Sequence, residues 1–292
     1  MEASAGWLLK TETIGAYISL IRPKAIIPHI ITAAAAMFLA AGGWPPIFEL
    51  AFTLLGGAAV AAAANTFNSY LDRDIDAIME RTRNRPLPSG HMKPERALVL
   101  GAVLGLLGTF ILISFVNWIP AVLAVVALTY YILPYTLWLK RRTYFGAVIG
   151  SGVGAITPFI GWTAVSPGIT PTPFLLAAVV IFWTIPHFWS LAVFRRTDYE
   201  RAGLRVLPVK GAFTWIVSSS SLTIAATVLL AILAGLSIFY LGAILVLGTG
   251  LLILAIKMSR SESKAAARQL YRYSIVYIAV AFSAMIINTI VF

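Results

Sequence analysis

Long apolar runs separated by short polar connections dominate this chain, and those connections alternate between charge-rich and almost uncharged. Runs long enough to cross a bilayer fall at Ala25 to Ala41, Leu50 to Tyr70, Ala97 to Val116, Pro120 to Leu139, Phe145 to Ala164, Pro173 to Phe194, Ala212 to Ala234, Ile238 to Ile256 and Tyr273 to Phe292. A helix needs about 20 such residues to span the hydrocarbon layer. Inside lipid each backbone polar group must be satisfied within its own segment, so the pattern predicts an all-α polytopic bundle of nine transmembrane helices around a central cavity.

Lysine and arginine positions test that count independently. All 22 fall on one side of a nine-span layout. Lys10, Arg22 and Lys24 precede the first span, and the rest sit between spans two and three, four and five, six and seven, and eight and nine. Glu49 is the single charge on the other side. One missed or invented span would scramble this segregation, so the reading places the amino terminus and the charged connections in the cytoplasm and the carboxyl terminus outside.

Composition then adds exclusions. With 60% hydrophobic and 11% charged residues and a mean hydropathy of +0.89, the chain is no ordinary soluble domain. Its net charge of +11 would suggest nucleic acid in a soluble protein; here it reads as topology and attraction to membrane lipid, with no nucleic-acid partner expected. Met1 to Tyr17 contains no continuous apolar core, so no signal peptide is expected and the first span is retained. Absence of cysteine removes disulfides, thiolate metal sites and a cysteine nucleophile. Short outer connections leave no room for a soluble domain, and residues 1–292 are expected to form one intramembrane domain.

Candidate chemistry concentrates where the second apolar run ends, in NTFNSYLDRDIDAIMERTRNRPLPSG from Asn65 to Gly90. Asn68, Asp72 and Asp76 recur at four-residue spacing, which puts them on one helical face. Arg81, Arg83 and Arg85 follow before Pro86. Carboxylates alone would repel a diphosphate; Mg²⁺ bridges the two and takes one or two carboxylates plus phosphate oxygens, while arginine grips the outer oxygens. A lone pair of carboxylates at such spacing is usually a solvated helix end, and the membrane context is what raises its weight. Asp74 lies off that face and stays secondary.

A second acidic and basic cluster, FRRTDYERAGLRVLPVKG from Phe194 to Gly211, holds Asp198 and Glu200 at the end of the sixth span. Its place suggests a pseudo-repeat in which the ends of spans two and six face one cavity, with Asp198 joining Asn68, Asp72 and Asp76 as a metal ligand. Lys140, Arg141 and Arg142 lie at the same membrane face. His187, in FWTIPHFWS, is an imidazole among aromatic rings inside the membrane: it ligates haem iron, orients a flat aromatic substrate, or simply hydrogen-bonds within the bundle. His29 carries the same alternatives, whereas His91 reads as a loop residue. Pro186 is expected to disturb the sixth helix.

At these residues the chain resembles the UbiA superfamily of intramembrane prenyltransferases, whose first motif, N-D-x-x-D-x-x-x-D, appears as NSYLDRDID with Ser69 in the second position. DRDIDAIMERTRNRPLPSG and PHFWSLAVFRRTDYERAG resemble the branch that farnesylates haem. The Y-x-x-x-K of the superfamily appears stretched, as Tyr135 and Lys140. The resemblance covers almost the whole chain. It implies transfer of a farnesyl group from farnesyl diphosphate to a vinyl group of haem b, with water added, giving haem O. It further implies catalytic roles for Asn68, Asp72, Asp76, Arg81, Arg85, Lys140 and Asp198 in Mg²⁺-assisted ionisation to an allylic cation, and contacts with haem A synthase or oxidase assembly partners. The competing readings are a related enzyme acting on an aromatic or quinone-precursor acceptor, and a non-catalytic haem carrier or transporter. A transporter would carry acidic residues at mid-depth; this chain keeps its carboxylates at one face.

Overall fold

The computed structural model describes residues 14–150, 152–168, 170–208 and 211–292. Among these, nine helices are long and apolar enough to cross a membrane. They are α1 (Pro23–Ala41), α2 (Ile47–Leu71), α3 (Pro94–Phe115), α4 (Trp118–Arg142), α5 (Val148–Val165), α6 (Pro171–Phe194), α7 (Ala212–Leu233), α8 (Ile238–Ser261) and α9 (Lys264–Val291). The reading that the amino-terminal segment is no signal peptide falls largely outside the described residues, as do Lys10 and Lys210.

Two groups of helices share apolar cores. Val60, Leu112, Ala121, Ala124 and Ile160 join α2 to α5, while Ala35, Leu176, Val179, Leu230, Ile244 and Phe282 join α1 with α6 to α9. Close backbone approach matters in the first group. A Cβ on Gly108 would sit 2.6 Å from the Gly56 carbonyl oxygen, so α2 and α3 pack as small-residue faces that larger side chains would force apart. Leu106, Phe110, Val246 and Ile253 point outward, which fits a lipid-facing surface.

Three local departures from regular helix position the polar residues. Arg22 links a helical segment, 14–21, to α1 in the left-handed conformation, φ 53°, an unusual state for an arginine before Pro23 that costs on the order of 1–3 kcal/mol. The Asn65 amide donates to the Ile21 carbonyl at 2.9 Å and holds that turn. Tyr131–Leu139 in α4 forms a π-helix. Beyond α2, Arg73–Ile78 forms a short separate helix.

The charged connections after α2 and α6 meet. Ile75 and Met79 from the first pack with Tyr199, Leu204 and Val206 from the second, and Arg201 lies 3.8 Å from Glu80. Pro186 leaves α6 continuous from Pro171 to Phe194, against the expected disturbance, because its missing N–H is absorbed within a well-packed span.

Candidate active site

The four-residue stripe survives a break in the helix. Asp72 caps α2, yet its N–H bonds to the Asn68 carbonyl at 2.9 Å and the Asp76 N–H to the Asp72 carbonyl at 2.7 Å. Asn68, Asp72 and Asp76 are therefore stacked on one face, and all three are buried.

Cations from three different connections converge on them. Lys140 pairs with Asp72 Oδ2, which also accepts from Asn68 Nδ2 at 2.7 Å. Arg85 reaches Asp76 Oδ2 at 2.7 Å, and Arg22 lies 3.8 Å from the same oxygen while donating to Asn68 Oδ1 at 3.1 Å. Three cations thus face two carboxylates. Burial, followed by repulsion from Arg22, lowers the pKa of the Arg85 guanidinium, although it remains charged. An excess of positive charge in a partly buried site invites a polyanion.

Unfilled valences mark where one would bind. Asp72 Oδ1 and the Arg22 Nε and Nη2 atoms are buried without a hydrogen-bond partner. Such orphaned groups are costly unless a ligand satisfies them. Asp198 is also buried, and its carboxylate makes no hydrogen bond or ion pair among the described residues. No cluster of three His, Asp or Glu side chains there suffices to hold a metal alone. The available oxygens suit a hard cation whose shell a bound diphosphate would complete.

The π-helix accounts for the stretched Tyr135 and Lys140 pair. In this register the Lys140 N–H bonds to the Tyr135 carbonyl, so a five-residue spacing stacks side chains as a four-residue spacing does in an α-helix. It also brings buried Thr136 to Asn68 Nδ2 at 3.3 Å, with its own hydroxyl donated to the Tyr131 carbonyl at 2.7 Å. Arg22, Asn65 and Thr136 had not been singled out as site residues in the sequence. Their signal was Arg22 before a proline at a span boundary and an asparagine one turn ahead of the stripe.

Other candidates stand apart. Asp74 is exposed and held by both Nη atoms of Arg141 at 2.8 Å; that hydrogen bonding lowers its pKa. Arg81 is exposed. His91 meets Ser89 in a loop. His29 bonds through Nδ1 to Thr157 Oγ1 at 3.1 Å, tying α1 to α5.

His187 lies between rings, stacked on Trp183 with centroids 4.4 Å apart and tilted against Tyr271 at 4.9 Å. Its Nδ1 meets Ser274 Oγ at 2.9 Å, and Ser274 donates its one hydroxyl proton to the Tyr271 carbonyl at 2.7 Å. With the Ser274 proton on the Tyr271 carbonyl, Nδ1 is the donor and Nε2 keeps its lone pair. That is the tautomer a metal-ligating or proton-accepting imidazole requires.

A nine-span bundle with buried carboxylates and surplus guanidiniums at one membrane face defines an intramembrane protein built to hold a polyanion beside an apolar interior. The chain belongs to the UbiA prenyltransferase family, whose sequence profile it matches over residues 29–288.

Curated relatives named protoheme IX farnesyltransferase include one from Symbiobacterium thermophilum, 40% identical with 95% of each chain covered. Another, from Roseiflexus sp. strain RS-1, is 40% identical over 97% of this chain and 54% of its own length, so the chain spans about half of that relative. Among solved structures, one described under digeranylgeranylglyceryl phosphate synthase superposes with a TM-score of 0.78 at 20% identity, covering 96% of this chain and 99% of its own. A UbiA homologue from Archaeoglobus fulgidus bound to DMAPP and Mg²⁺ gives 0.62 at 16% identity, covering 92% and 98%. These structures share the fold.

Proposed function

We propose that residues 1–292 form one intramembrane farnesyltransferase domain that joins farnesyl diphosphate to haem b, with water, to give haem O and diphosphate. The observation that carries this reading is the convergence of Arg22, Arg85 and Lys140 on the buried Asn68, Asp72 and Asp76 stripe, with Asp72 Oδ1 left unpartnered. The acceptor is taken from the names of the relatives and supported by His187, stacked among aromatic rings within the sixth span. Charge segregation supports a cell-membrane orientation with this site facing the cytoplasm.

Asn68, Asp72, Asp76 and Asp198 are the residues that would hold Mg²⁺, which when bound supplies charge neutralisation of the leaving diphosphate. Arg22, Arg85 and Lys140 bind and orient the phosphate oxygens, and they stabilise the charge that grows there as the C–O bond breaks; exposed Arg81 is left to attract the diphosphate from outside the buried stripe. The electron pair leaves with diphosphate, and the farnesyl cation is held in the apolar interior, where water is excluded and aromatic faces stabilise positive charge. The vinyl group then forms the new C–C bond, and water captures the resulting cation with loss of a proton. His187 is assigned to the acceptor; His29, held through Nδ1 by Thr157, has only its other ring nitrogen to offer it.

The test is mass spectrometry of products from purified protein in detergent, supplied with farnesyl diphosphate, Mg²⁺ and either haem b or 4-hydroxybenzoate. Haem gaining farnesyl plus water is the expected result. A prenylated benzoate would keep the diphosphate site and reassign the acceptor, and no product from either would remove the reading.

A further inference from the structure

We propose that Arg195 and Arg268, both packed against the Phe194 ring at the cytoplasmic ends of α6 and α9, form a carboxylate clamp. It would hold the acid groups of a flat macrocyclic acceptor whose centre lies at His187. This deepens the proposed function and rests on its choice of haem b as acceptor.

The two guanidiniums lie 4.7 and 5.7 Å from the centroid of Phe194. Within about 6 Å a guanidinium is attracted to a ring face. Neither arginine has a carboxylate partner among the described residues, whereas Arg22, Arg85, Lys140, Arg141, Arg196 and Arg201 all do. A stacked guanidinium keeps its charge and leaves N–H groups free for bidentate contact with a carboxylate.

Register links this pair to His187. Phe194 follows His187 by seven residues, about 10 Å along α6 and on the same stripe. On the antiparallel α9, Arg268 precedes Tyr271 by three residues, and Tyr271 faces His187. Each helix thus carries an aromatic surface deeper in the membrane and a guanidinium one to two turns shallower. Between them lies the His187 imidazole, packed against Trp183 and Tyr271. A porphyrin has matching parts: a central metal, a flat apolar body, and two propionates on one edge. A small aromatic acid is too short to reach both ends.

Arginine near a cytoplasmic boundary also follows from topology, and an anionic lipid phosphate would suit the same donors. Absorbance titration in detergent with protohaem IX and with its dimethyl ester separates these occupants. The wild-type protein should bind the free acid at least about tenfold more tightly than the ester, the scale of charge-assisted hydrogen bonds. A double variant, Arg195→Gln with Arg268→Gln, should bind the acid only as tightly as the ester, with ester affinity unchanged.

Unchanged ester affinity reports an intact fold and ring pocket. Equal wild-type affinity for acid and ester would overturn the clamp while leaving haem as the acceptor. Equal weakening of both ligands in the double variant would reduce the arginines to structural roles. Loss of an effect of added anionic phospholipid, without loss of acid preference, would reassign them to lipid. If the wild-type protein binds neither porphyrin, the choice of acceptor fails together with the clamp.

Discussion

Arg22 Nη1 donates to Asn68 Oδ1 at 3.1 Å, which ties the left-handed turn before α1 to the first residue of the carboxylate stripe. Two forces oppose this arrangement, the strained backbone of Arg22 and the absence of hydrogen-bond partners for its Nε and Nη2. Arg22→Gly would relieve the strain and remove the guanidinium. We expect a thermal midpoint equal to or above that of the wild type, together with a fall in kcat/KM of about a hundredfold, the scale of losing a preorganised charge-stabilising donor. Parallel loss of stability and activity would make Arg22 a structural residue only.

Asp72 and Asp74 provide a paired contrast two residues apart. Asp72 is buried on the stripe with one unpartnered oxygen, and removing it leaves Lys140 partly buried without its counterion. Asp72→Ala should lower turnover by about a thousandfold or more and destabilise by about 3 kcal/mol. Asp74→Ala should retain activity within about threefold. Its exposed pair with Arg141 contributes little at neutral pH. Because its folded-state pKa is lowered, that small contribution is present above the ordinary carboxylate range and lost only as pH falls through it. Similar near-normal turnover in both variants would remove the stripe from the mechanism.

The reasons for success and failure in reading the sequence are physical. Spans were legible because lipid requires long apolar runs and the basic residues keep to alternate connections. The start of α9 was not. Lys264, Arg268 and Arg272 end the apolar run, yet the backbone stays helical outside the hydrocarbon with Ser263 as its cap. Asn68, Asp72 and Asp76 were legible because a four-residue spacing is local information. Arg22 was counted as a topological charge, since the turn that aims it depends on Asn65 from another helix. The π-register around Thr136 was equally hidden, and the five-residue spacing of Tyr135 and Lys140 becomes intelligible only with it.

Thr136 tests whether that register serves the site. Its hydroxyl donates to the Tyr131 carbonyl and accepts from Asn68 Nδ2, so Thr136→Val removes both bonds at nearly constant volume. The expected outcome is a stability loss of about 1–3 kcal/mol and a several-fold rise in KM for farnesyl diphosphate, with the acceptor KM unchanged. A shift in both KM values by the same factor would indicate general loosening of α4.

Ser274 is placed to set the chemistry of His187, whose Nδ1 it meets at 2.9 Å. When its proton goes to the Tyr271 carbonyl, Ser274 accepts from Nδ1 and the lone pair stays on Nε2. In Ser274→Ala the ring loses that restraint and the other tautomer, or a rotated ring, becomes accessible. We expect the absorbance change on haem binding to weaken and the acceptor KM to rise by about tenfold. Binding of farnesyl diphosphate, proposed to sit at the α2 stripe, should stay within about twofold. Ser274→Thr keeps a hydroxyl and should restore most of the spectral change if its methyl is accommodated beside Trp183. His187→Ala should abolish the spectral change altogether. If Ser274→Ala left the spectrum intact while His187→Ala removed it, the imidazole would be a ligand that needs no orienting partner. If neither variant altered haem binding, His187 would be a bundle histidine and the acceptor would lie elsewhere in the cavity.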